Sequence, residues 1–258
     1  MSGTTMPGTG AGEGARGGGA RPPFAAVYFD CDSTLSAMEG VDELVSELPP
    51  DLQREMRELT QQAMDGTVPL GDVYDRRLRR IAPTRAQLDG IGRLYVERTV
   101  TDAKGVVAAL RHLGKHVGIV SGGLLPAVLE LAAHLQIDAA NVHAVPVMFA
   151  TDGRYRGFDH RSPLWRNGGK VEVLGAVPKD HRPLAFVGDG ATDLETQGRG
   201  ADLFVGYGGV AVRERVQREA GVWFATPSLA PLLHIVLTDA ERARLQQQPR
   251  FADLLQHG

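Results

Sequence analysis

A single cysteine, Cys31, is all the thiol chemistry available to this chain of 258 residues. An intramolecular disulfide is therefore excluded, and a reducing, cytoplasmic setting is the default expectation. No apolar run approaches the ~20 residues that cross a bilayer, so no membrane partner is expected. Nor is there an excess of either charge: 28 basic and 31 acidic side chains leave a net charge of −3, which gives no general pull toward nucleic acid. Residues 1–23 lack the apolar stretch of a signal peptide and are rich in Gly, Thr and Ala. They are read as a disordered leader outside the fold.

Three familiar constellations are also missing. A cysteine phosphatase loop, C-x5-R, needs an arginine at position 37, where this chain has Ala37. The two aspartates flanking Cys31 would moreover disfavour a thiolate. Gly188-Asp189-Gly190 does not continue as G-x-G-x-x-G, because position 193 is Asp. His112 and His116 have helical metal-ligand spacing, but Gly114 interrupts them and no third ligand lies near in sequence.

What remains is an ordinary globular composition, 43% hydrophobic and 23% charged, long enough for one large domain or a core with an insert. Short apolar runs ending at Gly, Ser or Asp recur at "FAAVYF", "HVGIVS", "PLAFVGD" and "ADLFVG". They read as strands buried on both faces. Helical patterns such as "LLPAVLELAAHL" alternate with them, which implies an α/β fold with a parallel sheet. Residues 38–100 differ, carrying four amphipathic helical patterns and no strand-like run, as an all-α insert after the first strand would. "NVHAVPVMFATDGRYRGFD" suggests a β-hairpin around Thr-Asp-Gly, and the polar stretch from Thr238 is only weakly periodic.

In an open parallel sheet, ligands bind beyond the carboxyl ends of the strands, so the strand exits are the places to inspect. After the first strand come Asp30, Asp32 and Thr34, with both carboxylates starting on one side and the Asp32 carbonyl free to face a cation. Ser121-Gly122-Gly123 follows the second strand directly before a helix, a ready anion site. Lys170 starts a further helix and can put one positive charge into the cleft. "GDGATD" places Asp189 in a loop and Asp193 one turn further, hard oxygen ligands suited to Mg²⁺. Each pattern alone occurs in ordinary loops; it is the succession of four at strand exits that points to one site.

With D-x-D-S-T, S-G-G, a downstream lysine and G-D-G-A-T-D in this order, the chain resembles the haloacid-dehalogenase-type phosphatases. "FDCDSTLSAMEGVDELV", "QQAMDGTVPLGDVYDRRL" and the 141–159 segment are similar to segments of the phosphoserine phosphatase family. The resemblance covers roughly residues 25–230. It implies a Rossmann-like core over residues 24–37 and 101–237, with a substrate-selecting helical cap over 38–100 and a tail over 238–258. It further implies Mg²⁺-dependent hydrolysis of O-phospho-L-serine through an aspartyl-phosphate, the last step of serine biosynthesis.

On that pattern Asp30 is the nucleophile and Asp32 the acid/base. Asp30, the Asp32 carbonyl and Asp189, with Asp193 nearby, hold the metal. Ser121, Gly122 and Lys170 hold the phosphoryl oxygens, while Thr34 and Thr192 support the nucleophile and the bound ligand. Glu39 meets the amino group and Arg77 the carboxylate of serine; Arg76 is adjacent, and only the motif match separates the two. Met64 and Leu70 stand at lid positions, with an ordinary core role as the alternative, and Asp65 departs from members with Gly. The expected partner is a small molecule, and the enzyme a monomer or homodimer. The competing readings are another phosphomonoesterase of the same fold, a phosphotransferase accepting serine, and a non-catalytic phosphoacceptor module; the last lacks a helical insert and D-x-D-x-T.

Overall fold

The computed structural model describes residues 23–64 and 68–256, with the backbone alone for residues 61–64. Residues 1–22 of the expected leader and Asp65 lie outside the described residues, as does the Met64 side chain. The first strand, β1 (Ala26–Phe29), is followed by five helices: α1 (Gly40–Ser46), α2 (Pro50–Met64), α3 (Leu70–Ile81), α4 (Arg85–Glu97) and α5 (Ala103–His112). Then come β2 (His116–Leu124), α6 (Leu125–His134), β3 (Val142–Val145), the pair β4 (Val147–Phe149) and β5 (Tyr155–Phe158), and α7 (Gly169–Gly175). The chain continues through β6 (Leu184–Gly188), α8 (Ala191–Leu194), β7 (Leu203–Tyr207), α9 (Glu214–Glu219) and β8 (Val222–Phe224). It ends in α10 (Leu232–Val236), α11 (Asp239–Gln246) and α12 (Pro249–Ala252).

Six strands form one parallel sheet in the order β3-β2-β1-β6-β7-β8. Every residue of β1 and β6 is buried, as their uninterrupted apolar runs require for central strands covered on both faces. The chain builds outward from β1 through β2 and β3, then returns and builds outward the other way from β6. The direction reverses between β1 and β6, so the loops leaving these neighbours part and open a crevice at their carboxyl ends.

The 141–159 segment divides in a way its pattern did not suggest. Val142–Val145 joins the parallel sheet as its edge strand, and only β4 and β5 pair antiparallel. Pro146, which has no N–H to donate, separates the two.

Helices α1–α4 form a helical cap inserted after β1. A capping box between Thr84 and Gln87 starts α4, which packs against α6 of the core. Helix α3 buries Val73, Leu78 and Ile81, and its Tyr74 and Arg77, three apart and so on one face, line the crevice. Gly71 at its start permits the close approach of Trp165 from the core: a Cβ there would stand 2.7 Å from the indole.

The stretch from Thr238 also takes definite form. Thr238 and Glu241 make a capping box for α11, and Leu245 and Phe251 are buried, Phe251 against His112 with ring centroids 5.3 Å apart. Two buried side chains are too few to print a periodicity, which is why the sequence showed so little here. The buried Lys115 ties this end down, donating to Phe24 O at 2.7 Å and Glu241 Oε1 at 2.6 Å.

Candidate active site

The crevice between cap and core is a cavity of about 380 Å³. Asp30 leaves the end of β1; its Oδ1 accepts the Cys31 N–H at 2.7 Å and meets Lys170 Nζ at 2.8 Å. Asp189 leaves β6 beside it, and Asp193 follows one turn into α8, with Gly190 N–H donating to its Oδ2 at 2.8 Å. Lys170, at the start of α7, reaches across to Asp193 Oδ1 at 2.5 Å. Thr34 Oγ1 donates to Asp189 Oδ1 at 3.2 Å; it reaches there through a turn in which Ser33 adopts a φ of +52°, the left-handed region.

Three carboxylates in so small a space repel one another. Burial, then Asp193 and Asp30, push the Asp189 carboxyl up to about 8. Burial and Asp30 push Asp193 up to about 7, against the pull of Lys170. Burial alone would lower the Lys170 ammonium, but Asp193 and Asp30 outweigh it and hold the group above the ordinary lysine range. One lysine does not neutralise this cluster. Carboxylate oxygens of Asp30, Asp189 and Asp193 lie within 4.8 Å of one another, so a hard divalent cation fits the donor set and would remove the repulsion.

Asp32 stands apart from that trio. Its Oδ1 accepts from Tyr95 Oη and from Gly40 N, both at 2.7 Å. Burial, then Glu39 and Asp30, push it up to about 7, the range of a group that gives and takes protons near neutrality. Gly123 permits its approach, since a Cβ there would lie 3.2 Å from both Asp32 Oδ2 and Ser121 Oγ.

The cap supplies the opposite wall. Glu39 Oε1 accepts from Ser33 Oγ at 2.9 Å and Arg213 Nη2 at 3.0 Å, and burial raises its carboxyl above the usual range. Arg77 lines the cavity and pairs with Asp42, while Arg76 is exposed. Among the described residues, Arg77 Nε is the one buried side-chain nitrogen or oxygen without a hydrogen-bond partner. Such an orphan donor carries a desolvation cost that an acceptor on a ligand would offset.

Of the residues singled out from sequence, Asp30, Asp32, Glu39, Arg77, Gly122, Lys170, Asp189, Thr192 and Asp193 line this cavity, and Leu70 sits at its rim. Ser121 is fully buried just behind Gly122 and Gly123. The Met64 side chain lies outside what is described. Three residues had not been foreseen. Arg213, beyond the exit of β7, bridges Glu39 and, through Nε at 3.2 Å, Asp189; inspecting every strand exit, including that one, would have reached it. Tyr95 and Tyr74 act from helices far off in sequence, where no local pattern marks them. The His112 and His116 pair separates: His112 lies on Phe251, and His116 stacks on His181 at 3.9 Å with Asp180 nearby. Rings 22° from parallel turn their faces, not their lone pairs, toward each other.

Cys31 is fully buried in the core, and burial, then Asp32 and Asp30, push its thiol well up. A buried, protonated thiol is neither nucleophile nor ligand. Cys31→Ala is expected to keep turnover within about threefold of the parent, at the stability cost of a small core truncation. Steady-state kinetics of that variant check this; its inactivation would return the thiol to the chemistry.

Residues 27–196 match the family model for haloacid dehalogenase-like hydrolase. The chain is 35% identical over 203 residues to a phosphoserine phosphatase of Rattus norvegicus, covering 78% of this chain and 88% of that one. It is 36% identical over 206 residues to a phosphoserine phosphatase of Homo sapiens, with the same two shares. Among solved structures, a phospho-aspartyl intermediate analogue of phosphoserine phosphatase superposes with a TM-score of 0.63 at 22% identity, covering 82% of this chain and 98% of that one.

Proposed function

The chain belongs to the haloacid dehalogenase-like hydrolases, in their phosphoserine phosphatase family, and from this premise we propose that it hydrolyses O-phospho-L-serine to L-serine and phosphate, completing serine biosynthesis. The observation that carries the substrate is the wall opposite the carboxylates, where the anionic Glu39 and the Arg77 guanidinium with its orphan Nε share one small cavity with Lys170. Those charges match an α-ammonium, an α-carboxylate and a phosphate.

On this reading the groups divide the work. Asp30 attacks the phosphorus in line, forming an aspartyl-phosphate as the seryl oxygen leaves. Asp32, held by Tyr95 and Gly40, gives that oxygen its proton and then takes one from the water that hydrolyses the intermediate. Lys170, Ser121 and Gly122 hold the phosphoryl oxygens, and Thr192 and Thr34 support the ligand and the metal-facing carboxylate. Mg²⁺ held by Asp30, the Asp32 carbonyl, Asp189 and Asp193 would supply charge neutralisation between nucleophile and phosphate. Residues 38–100 are the selecting cap, and 24–37 with 101–237 the catalytic core. Among the described residues no helix is long and apolar enough to cross a membrane. A cytoplasmic monomer or homodimer acting on a small molecule is the setting this reading carries.

The test is a substrate panel in Mg²⁺ with Arg77→Ala beside the parent. The parent is expected to prefer O-phosphoserine over phosphosugars and p-nitrophenyl phosphate in kcat/KM. Arg77→Ala should raise KM for O-phosphoserine about a hundredfold, the scale of a lost charged hydrogen-bond pair, and leave p-nitrophenyl phosphate turnover close to unchanged. Parent-level O-phosphoserine turnover in the variant would move the reading to another phosphomonoester.

A further inference from the structure

Tyr74 stands one turn before Arg77 on α3, and its hydroxyl crosses the cap–core seam to donate to Gly122 O at 2.8 Å. Its ring is held edge-on against Phe158 of the core, with centroids 5.5 Å apart and planes at 81°. Burial, then the nearby Asp32, keep the phenol protonated and so a donor. The acceptor belongs to the Gly122–Gly123 peptide, whose other polar end, Gly123 N–H, donates to Ser121 Oγ at 3.0 Å. The β2–β3 pairing shifts register between Val120 and Leu124, so this peptide has no regular ladder on that side to fix its plane. Tyr74 therefore holds one end of it and Ser121 the other.

We infer that Tyr74 is a positioning residue for phosphoryl transfer, acting through the Gly122–Gly123 peptide to set the direction of the Ser121 hydroxyl. The physical chain is short. A hydrogen bond at the Gly122 carbonyl polarises the amide and strengthens the Gly123 N–H as a donor. With one lone pair of Ser121 Oγ committed to that N–H, the hydroxyl proton must turn elsewhere, and among the described residues it has no acceptor. A phosphoryl oxygen in the cavity is the acceptor that completes it. The cap thereby contributes to the phosphate end of the site as well as to the amino-acid end. This inference rests on the reading of Ser121-Gly122 as a phosphate cradle.

Tyr74→Phe removes the hydroxyl and keeps the ring on Phe158, so a double-mutant cycle with Ser121→Ala tests the coupling. Tyr74→Phe is expected to lower kcat/KM about three- to tenfold, the scale of one net hydrogen bond, for O-phosphoserine and p-nitrophenyl phosphate alike. Its thermal midpoint should stay within about 3 °C of the parent. In the Ser121→Ala background the same change should cost less than about twofold. Losses that multiply across the cycle overturn the coupling, as does a loss confined to O-phosphoserine. A Ser121→Ala variant with full turnover overturns the cradle itself, and Tyr74's role with it.

Discussion

Replacing Asp30 by asparagine is expected to lower kcat by at least about a thousandfold at saturating Mg²⁺, with the fold intact. The substitution changes one atom and almost no volume, so the packing of β1 gives no other reason for a loss. An amide has no anionic oxygen to receive the phosphoryl group, and the covalent route closes. Residual hydrolysis would come from the groups that remain, Lys170, the Ser121-Gly122 loop and the cation, acting on a bound water. Acid-quenched single turnovers with labelled substrate separate the two routes: label should stay on the parent protein and not on the variant. Turnover within tenfold of the parent would remove Asp30 from the role of nucleophile.

Lys170→Met ranks next, because Lys170 serves two masters. It is buried between Asp30 and Asp193, at 2.8 and 2.5 Å, and supplies the one positive charge from α7. Deleting one partner of a buried pair leaves an uncompensated carboxylate, which costs about 3 kcal/mol and lowers the thermal midpoint by roughly 6–12 °C in a chain of this size. Saturating Mg²⁺ should restore much of that stability, since a cation among the same carboxylates offsets the same repulsion. Turnover should not return with it. The ammonium proposed to meet the phosphoryl oxygens is still missing, and kcat is expected to stay about a hundredfold or more below the parent. Calorimetry with and without Mg²⁺, beside kinetics, reads the two effects separately. Recovery of both together would make Lys170 a structural counter-ion only.

The parts of the molecule that could be read from sequence are those where one physical demand dominates locally. Central parallel strands buried on both faces need uninterrupted apolar runs, so β1, β2, β6 and β7 were visible, and the rule on strand exits then led to Asp30, Asp32, Ser121, Asp189 and Asp193. The cap helices were visible as amphipathic patterns without strands. What could not be read depends on where distant elements meet. Tyr95 reaches Asp32 across 63 positions, and Arg213 closes a triangle with Glu39 and Asp189 that exists only after cap and core have docked. The edge strand β3 was hidden inside an apparent hairpin because only Pro146 separates it from β4, so the two apolar stretches run on as one. Arg76 and Arg77 likewise differ only once the helix has a buried side: one faces solvent, the other the cavity.

Lys115 carries a consequence of a different kind. Its ammonium joins the carbonyl of Phe24, where the first strand begins, to Glu241, where the closing helices begin, at the amino ends of the strands and so opposite the crevice. The polypeptide is thus fastened into something close to a ring, with its clasp far from the chemistry. Along a ring, which motif comes first is a matter of where it was cut. The loops that meet beyond β1 and β6 would converge in the same way in a circular permutant opened at another surface turn, so the site needs the convergence of D-x-D, S-G-G and G-D-G-A-T-D and not their order along the chain.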